Sequence, residues 1–235
     1  MNCESAINSI KKSKWIAGFT LIEILLAFLI LGIVVTTVLA SFNAVFSTTD
    51  ALNSSSRYFD MAKNCLMRMT LDLEAAHVQQ PPLYKKPEFD DPPDPYRMVG
   101  SIAEVGGTSF AVIRFASKAH IPLEKSRRGG LAEIVYYVQA KNDGQVVLKR
   151  ADHLYPYPDF EESGGDPVLC TDLKSLAFKY YDADGTEFDE WDSESDEYQY
   201  ATPAAIRIQL EIGDETTSYA FETTVHPATR REKIK

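Results

Sequence analysis

The chain has 235 residues, a formal net charge of −10 and 45% hydrophobic residues, a length that suits one folded domain with additions. An acidic chain argues against a nucleic-acid partner, because phosphate recognition needs a basic surface. Its three cysteines, Cys3, Cys65 and Cys170, are too few for a disulfide scaffold and their spacing fits no metal motif.

The apolar residues are unevenly spread. From Phe19 to Ala40 the only charge is Glu23, so the run is long enough to cross a bilayer core of about 30 Å as a helix. Lys11, Lys12 and Lys14 precede it, the positive flank that holds an N-terminus in the cytoplasm. This predicts a single membrane pass, with membrane lipid around the helix and the C-terminal part outside, which at the inner membrane of a diderm bacterium is the periplasm. A cleavable secretory signal ending in "TTVLASFNA" is the competing reading, and it leaves Glu23 unexplained. A carboxylate inside a membrane helix costs about 2.5–3.5 kcal/mol, and such groups are usually functional and partnered.

The segment Gly18-Phe19-Thr20-Leu21-Ile22-Glu23 resembles the type III signal of type IV pilins and pseudopilins. The features that coincide are a basic leader, glycine, phenylalanine, a glutamate five residues after the glycine, and then an apolar run. The resemblance implies that a prepilin peptidase cuts between Gly18 and Phe19 and methylates the new amine of Phe19. Residues 1–18 are then a cytoplasmic leader, and 19–42 a transmembrane helix that also forms the core of a filament. Glu23 becomes the assembly carboxylate, paired with the N-terminal amine of a neighbouring subunit. A plain signal anchor with a stray acid is the alternative.

Residues 43–80 are expected to continue as an amphipathic helix. Leu52, Ser55, Phe59, Ala62, Leu66, Met69, Leu73 and Ala76 step by three and four, the spacing of one helix face. Arg57, Asp60, Lys63, Arg68, Asp72 and Glu74 suit a solvated face. The stripe reads as a helix packed on its own globular domain, with a coiled coil as the other possibility. Pro81 and Pro82 end it. Residues 81–97, with six of the twelve prolines, read as a loop.

Between 98 and 226 the period becomes two. "TSFAVIRFA", "LAEIVYYVQA", "VVLKRA", "LKSLAFKYYD", "AAIRIQLEIG" and "TSYAFETTV" read as strands. A turn at Asn142-Asp143-Gly144 joins the second to the third, and "GDET" joins the last two. Leu176, Phe178 and Tyr180 share one face, as do Ile206, Ile208, Leu210 and Ile212. The tail at 227–235 is polar and expected to fray. A long helix followed by mostly antiparallel strands gives an α+β fold.

The soluble half also carries a resemblance. "EIVYYVQ", "GQVVLKRADHL", "VLCTDLKSLAFKYYDADG", a tryptophan and "ATPAAIRIQLEI" look like the J-type minor pseudopilin of the type II secretion system. The hallmarks fall on Tyr136, Tyr137, Arg150, the stretch from Tyr180 to Gly185, and Trp191. Minor pilins of type IV pili share this style of strand and turn, so a pilus subunit is the alternative function. The resemblance implies a structural subunit of a periplasmic pseudopilus tip. Its partners are then I- and K-type pseudopilins, the major pseudopilin and an inner-membrane assembly platform. The proline-rich loop and an insert from Asp182 to Glu197, nine acids without a base, depart from the family pattern.

No catalytic residue, cofactor or metal is expected. His77, His120, His153 and His226 lie far apart, and there is no Gly-x-Ser-x-Gly, His-Glu-x-x-His or phosphate-loop pattern. A membrane-tethered binding module that never polymerises is a third class. Calcium binding by the acidic insert stays open. A loop beginning at Asp182 has glycine fourth and Ser193 twelfth, unlike an EF-hand, and a turn at Asp184-Gly185 before a solvated loop is the plainer reading. Whether Cys65 and Cys170 pair also stays open.

Overall fold

The computed structural model describes residues 19–122, 129–142, 144–214 and 216–234, with backbone alone between 44 and 54. Two compact units meet after Asn53. One helix, α1 (Leu21–Glu74), enters both. In the first unit its residues Leu21–Asn43 are apolar, long enough to span a membrane, and wholly exposed.

The second unit, Ser54–Lys235, holds the rest of α1 and, among the described residues, ten strands in two antiparallel sheets. The first sheet contains β1 (Val99–Val105), β2 (Thr108–Ser117), β3 (Ala132–Ala140), β4 (Val146–Leu154), β5 (Val168–Cys170) and the two-residue β8 (Trp191–Asp192), in the order β5-β4-β3-β2-β1-β8. The second contains β6 (Leu173–Tyr181), β7 (Glu187–Phe188), β9 (Ala205–Gly213) and β10 (Ser218–Val225), in the order β10-β9-β6-β7. The six runs read from period-two patterning all form strands. The short strands β5, β7 and β8 and the weakly patterned β1 add to them. Asp143 of the expected turn and Glu215 of "GDET" lie outside the described residues. Around the first, Lys141 N–H bonds the Gln145 carbonyl at 2.8 Å.

One core serves the helix and both sheets. Tyr58, Ala62, Cys65, Met69, Leu73 and Ala76 of the helical segment meet Ile113, Phe115, Ile134 and Leu148 of the first sheet, and Leu176, Phe178, Ile208 and Leu210 of the second. The buried stripe is shifted from the expected one. Phe59 is half exposed and lies against Tyr219 and Phe221 of β10, with ring centroids 5.6 and 5.1 Å away. Leu66 is only partly buried. Asp72, expected on the solvated face, is completely buried. The shift follows from two sheets replacing one. A helix flanked by both must bury a wider arc than a single heptad-like seam.

The helix ends at Glu74, not at the prolines. Ala76 makes an isolated bridge to Ser117, His77 N–H bonds the Ala116 carbonyl at 2.8 Å, and Lys118 N–H bonds the Ala75 carbonyl at 3.0 Å. The end of β2 thus takes up backbone groups that would otherwise continue the helix.

Strand β3 is buried at all seven positions from Ala132 to Val138. Its inner side faces the core. Its outer side forms a second cluster of Val135 and Tyr137 with Ala151, against which Phe160 packs. Tyr137 Oη donates to Asp166 Oδ2 at 2.8 Å, and Lys149 Nζ donates to the Ser163 carbonyl at 2.7 Å. The segment after β4 therefore covers this face. Burial and the Asp166 hydrogen bond push the Tyr137 phenol well above its ordinary value.

The two sheets approach closely at Gly100. A Cβ there would lie 1.9 Å from Oη of Tyr180, a fully buried ring. Gly100→Ala forces that ring aside, and overpacking of this kind costs about 1–3 kcal/mol. Thermal unfolding is the measurement. An unchanged midpoint would mean that the sheets separate there without penalty.

Candidate functional site

The start of α1 is built from four residues. Thr20 is the N-cap. Its Oγ1 accepts from Glu23 N–H at 3.3 Å, and Glu23 Oε2 accepts from Thr20 N–H at 3.4 Å. This is the reciprocal capping box, which satisfies two amides that have no partner inside the helix. A negative charge in the first turn is also favoured by the helix dipole. Thr-x-x-Glu was present in the sequence as a capping signature, yet Glu23 was assigned only an intermolecular role there. Phe19 is 78% exposed. Gly18 and the leader lie outside the described residues.

The last turn of α1 is held by a buried cluster of charges. Arg150 of β4 donates from Nε to Asp72 Oδ2 at 2.6 Å and from Nη1 to Asp152 Oδ2 at 2.6 Å. Arg68, one turn before Asp72, bonds the same carboxylate, as does the hydroxyl of Tyr136. Tyr136 and Arg150 stand directly opposite each other across the β3–β4 ladder. The carbonyl of Ala119 accepts from Arg68 at 2.7 Å, and Asp152 accepts from Ile121 N–H at 2.9 Å. His120 Nδ1 lies 2.6 Å from Asp152 Oδ1. Two guanidiniums and two carboxylates are thereby interlocked, the arrangement that makes a buried charge tolerable.

The titration of the cluster follows its geometry. Burial alone would lower Arg150, but hydrogen bonds to Asp72 and Asp152 hold it above its ordinary range. Burial would raise Asp152, yet the Ile121 amide, His120 and Arg150 bring it below the usual aspartate value. Burial, then the adjacent Asp72 charge, pushes the Tyr136 phenol far up, so it stays a hydrogen-bond donor. An open cavity beside the cluster is lined by His120, Asp152, His153 and Leu154 among others, and its described lining residues include no hydroxyl or thiol nucleophile.

A second clasp closes the other end. Arg231 is 2% exposed. It donates to the carbonyls of Ser193 and Tyr200, both at 2.6 Å, and of Gln79 at 3.2 Å, and to Asp94 Oδ2 at 3.2 Å. Its guanidinium carbon sits 3.4 Å from the ring centre of Tyr84. One arginine thus ties the residues after α1, the proline-rich loop, the turn after β8 and the tail. The tail is not frayed. Thr202 N–H bonds the Arg231 carbonyl at 3.0 Å, and Ile234 N–H bonds the Gln199 carbonyl at 2.9 Å.

A family model described as type II secretion system (T2SS), protein J, matches residues 40–220. The chain belongs to this family. No curated protein matches it. Members of the protein J family are minor pseudopilins of the type II secretion system, so the pilus alternative is set aside. The family is a structural one, not an enzyme family, and its members work with other pseudopilins. A protein J subunit with an apolar N-terminal helix is membrane-anchored. Gly18, Phe19 and Glu23 lie before the matched residues, so the signal motif and the family match are independent observations.

Within this protein J fold the hallmark residues have physical roles. Trp191 donates its indole N–H to the Ala201 carbonyl at 3.0 Å and stacks on Tyr198 with ring centroids 4.5 Å apart. Arg150 and Tyr136 anchor Asp72. The acidic insert has no base of its own, but among the described residues the fold supplies three, of which Arg97 lies 4.0 Å from Glu194. Lys179 pairs with Asp189, and Lys233 from the tail pairs with Asp182 at 3.0 Å and Asp184 at 2.6 Å. Asp182 Oδ1 also accepts the amides of Asp184 and Thr186 at 2.9 and 2.8 Å. Among the described residues, no three acids, histidines or cysteines stand together as metal ligands.

Sequence reasoning missed Asp72, Asp94 and Arg231 as structural groups. Arg150 carried a signal. It shares its face of β4 with Leu148, and an inward arginine requires a buried acid. Arg231, in a polar terminal stretch, carried none.

Proposed function

We propose that this protein J subunit is part of the tip of the periplasmic pseudopilus, joined there by I- and K-type pseudopilins above the major pseudopilin. Residues 1–18 act as a cytoplasmic leader, a prepilin peptidase cuts after Gly18, and Phe19 is methylated at its amine. Residues 19–42 anchor the subunit in the inner membrane and later pack in the filament, while the β domain lies in the periplasm. An inner-membrane platform drives assembly. The observation that carries this reading is an exposed apolar helix whose lone carboxylate, Glu23, has among the described residues only its own cap as partner. A charge left unpaired in lipid seeks an opposite charge, and the freed amine of a neighbouring subunit supplies one.

Glu23→Gln tests it. Glutamine keeps the capping box and removes only the charge. The variant should insert and be cleaved as before, with mass spectrometry finding Phe19 as its methylated N-terminus. Cross-linking to the I- and K-type partners and secretion should fall several-fold. An uncut N-terminus in the presence of the peptidase would remove the processing proposal, and unchanged cross-linking and secretion would remove the charge pairing.

A further inference from the structure

Two sulfurs in the core serve no purpose assigned so far. Cys65 on α1 and Cys170 at the end of β5 are 1% and 0% exposed and belong to the same core cluster. Around them the helix and the sheets meet through sulfur. Thr171 N–H and Oγ1 reach Met61 Sδ, one helical turn before Cys65, at 3.4 and 3.6 Å. Cys65 Sγ lies 3.9 Å from Met69 Sδ, one turn further on. The residues flanking both cysteines are therefore already in register. Both are free thiols in this fold, and the neighbouring Cys170, followed by burial, raises the Cys65 thiol well above its ordinary value.

We propose that Cys65 and Cys170 form an intramolecular disulfide that staples α1 to the junction of β5 and β6. The inference goes beyond the tip assignment but rests on its topology for the oxidant, since disulfides persist in an oxidising envelope compartment and not in cytosol. The chemistry is ordinary exchange. One thiolate attacks a disulfide of the oxidant, a protein or glutathione disulfide, and releases one of its thiols. The second cysteine thiolate then displaces the other. Two S–H bonds are replaced by one S–S bond, two protons and two electrons leave, and the oxidant ends as two thiols. A buried thiol is a poor nucleophile, so closure belongs to folding, before the core excludes the oxidant. The bridge would span more than one hundred residues of chain, and cross-links closing long loops restrict the unfolded state most.

The full chain in detergent, reduced while unfolded and then refolded in a glutathione redox buffer, decides the matter. After blocking free thiols under denaturing conditions, trypsin without reductant should give residues 64–68 joined to residues 151–174, with Cys3 alkylated. The oxidised form should melt about 4–16 °C above the refolded reduced form. Free Cys65 and Cys170, glutathione adducts alone, or a bridge to Cys3 would overturn the proposal. The same map on chain whose thiols were blocked as the cells were broken reads the compartment separately. Linked peptides there support both readings. Closure in the glutathione buffer with free thiols in cells would place the domain on the reducing side, overturning the topology proposed above while leaving the bridge standing.

Discussion

Asp72→Ala should destabilise the folded unit by about 3–5 kcal/mol, the range found when one member of a buried ion pair is removed. The reason is what remains. Arg150, with a side chain 3% exposed, would keep its charge with Asp152 alone of the two carboxylates that compensate it, Arg68 would lose its partner, and Tyr136 would lose its acceptor. In a domain of this size the loss corresponds to a drop in melting temperature of about 6–20 °C. Removing both charges is a different matter. Asp72→Leu with Arg150→Met and Tyr136→Phe should recover part of the loss, because a well-packed apolar replacement of a buried pair is often neutral or better while Asp152 keeps His120 and the Ile121 amide as partners. Denaturant unfolding of the single and combined variants is the measurement. A single-variant cost under about 1 kcal/mol, typical of an exposed pair, would mean that water reaches the cluster and that it does not hold α1 to the sheet.

Arg231→Ala should cost about 3 kcal/mol or more, since Asp94, with a side chain 5% exposed, loses the cation paired with it and three carbonyls lose a donor. The damage should begin locally. The proline-rich loop and the tail are joined through this side chain, so trypsin should cut after Lys85 faster in the variant than in the parent. Arg231→Lys should rescue little. Lysine keeps the charge but not the planar fork that serves several acceptors at once, nor the stacking on Tyr84. Equal cleavage rates after Lys85 in parent and alanine variant would show that the loop is held by something other than this arginine.

The two clasps differ in how far they could be seen beforehand. Arg150 stands on an inward-facing position of a clearly alternating strand, so a partner acid was implied, though not which one. Asp72 looked like part of a solvated face, and only Tyr136 and Arg150 of the first sheet draw that part of the helix inward. Arg231 sits among Thr, Arg, Glu and Lys with no periodicity, and no local pattern tells a buried arginine in a tail from a solvated one. Glu23 is the opposite case. Its place in the first helical turn was legible to the residue, and so was a second role in the cap that the intermolecular reading had obscured.

Local order was determined by the sequence alone. The apolar run, the long helix and six of the strands follow from periodicities of 3.6 and 2, which depend only on the geometry of a single element. Which elements share a core was decided by tertiary structure. Packing against two sheets widened the buried arc of α1 and moved its stripe off Phe59 and Leu66, while Tyr136 and Arg150 of the first sheet took in Asp72. It drew the helix end at Glu74 into the end of β2 and set Cys65 and Cys170 in one core. Each outcome depends on pairing between residues distant in the chain, where the competing arrangements differ by contacts that no single segment contains.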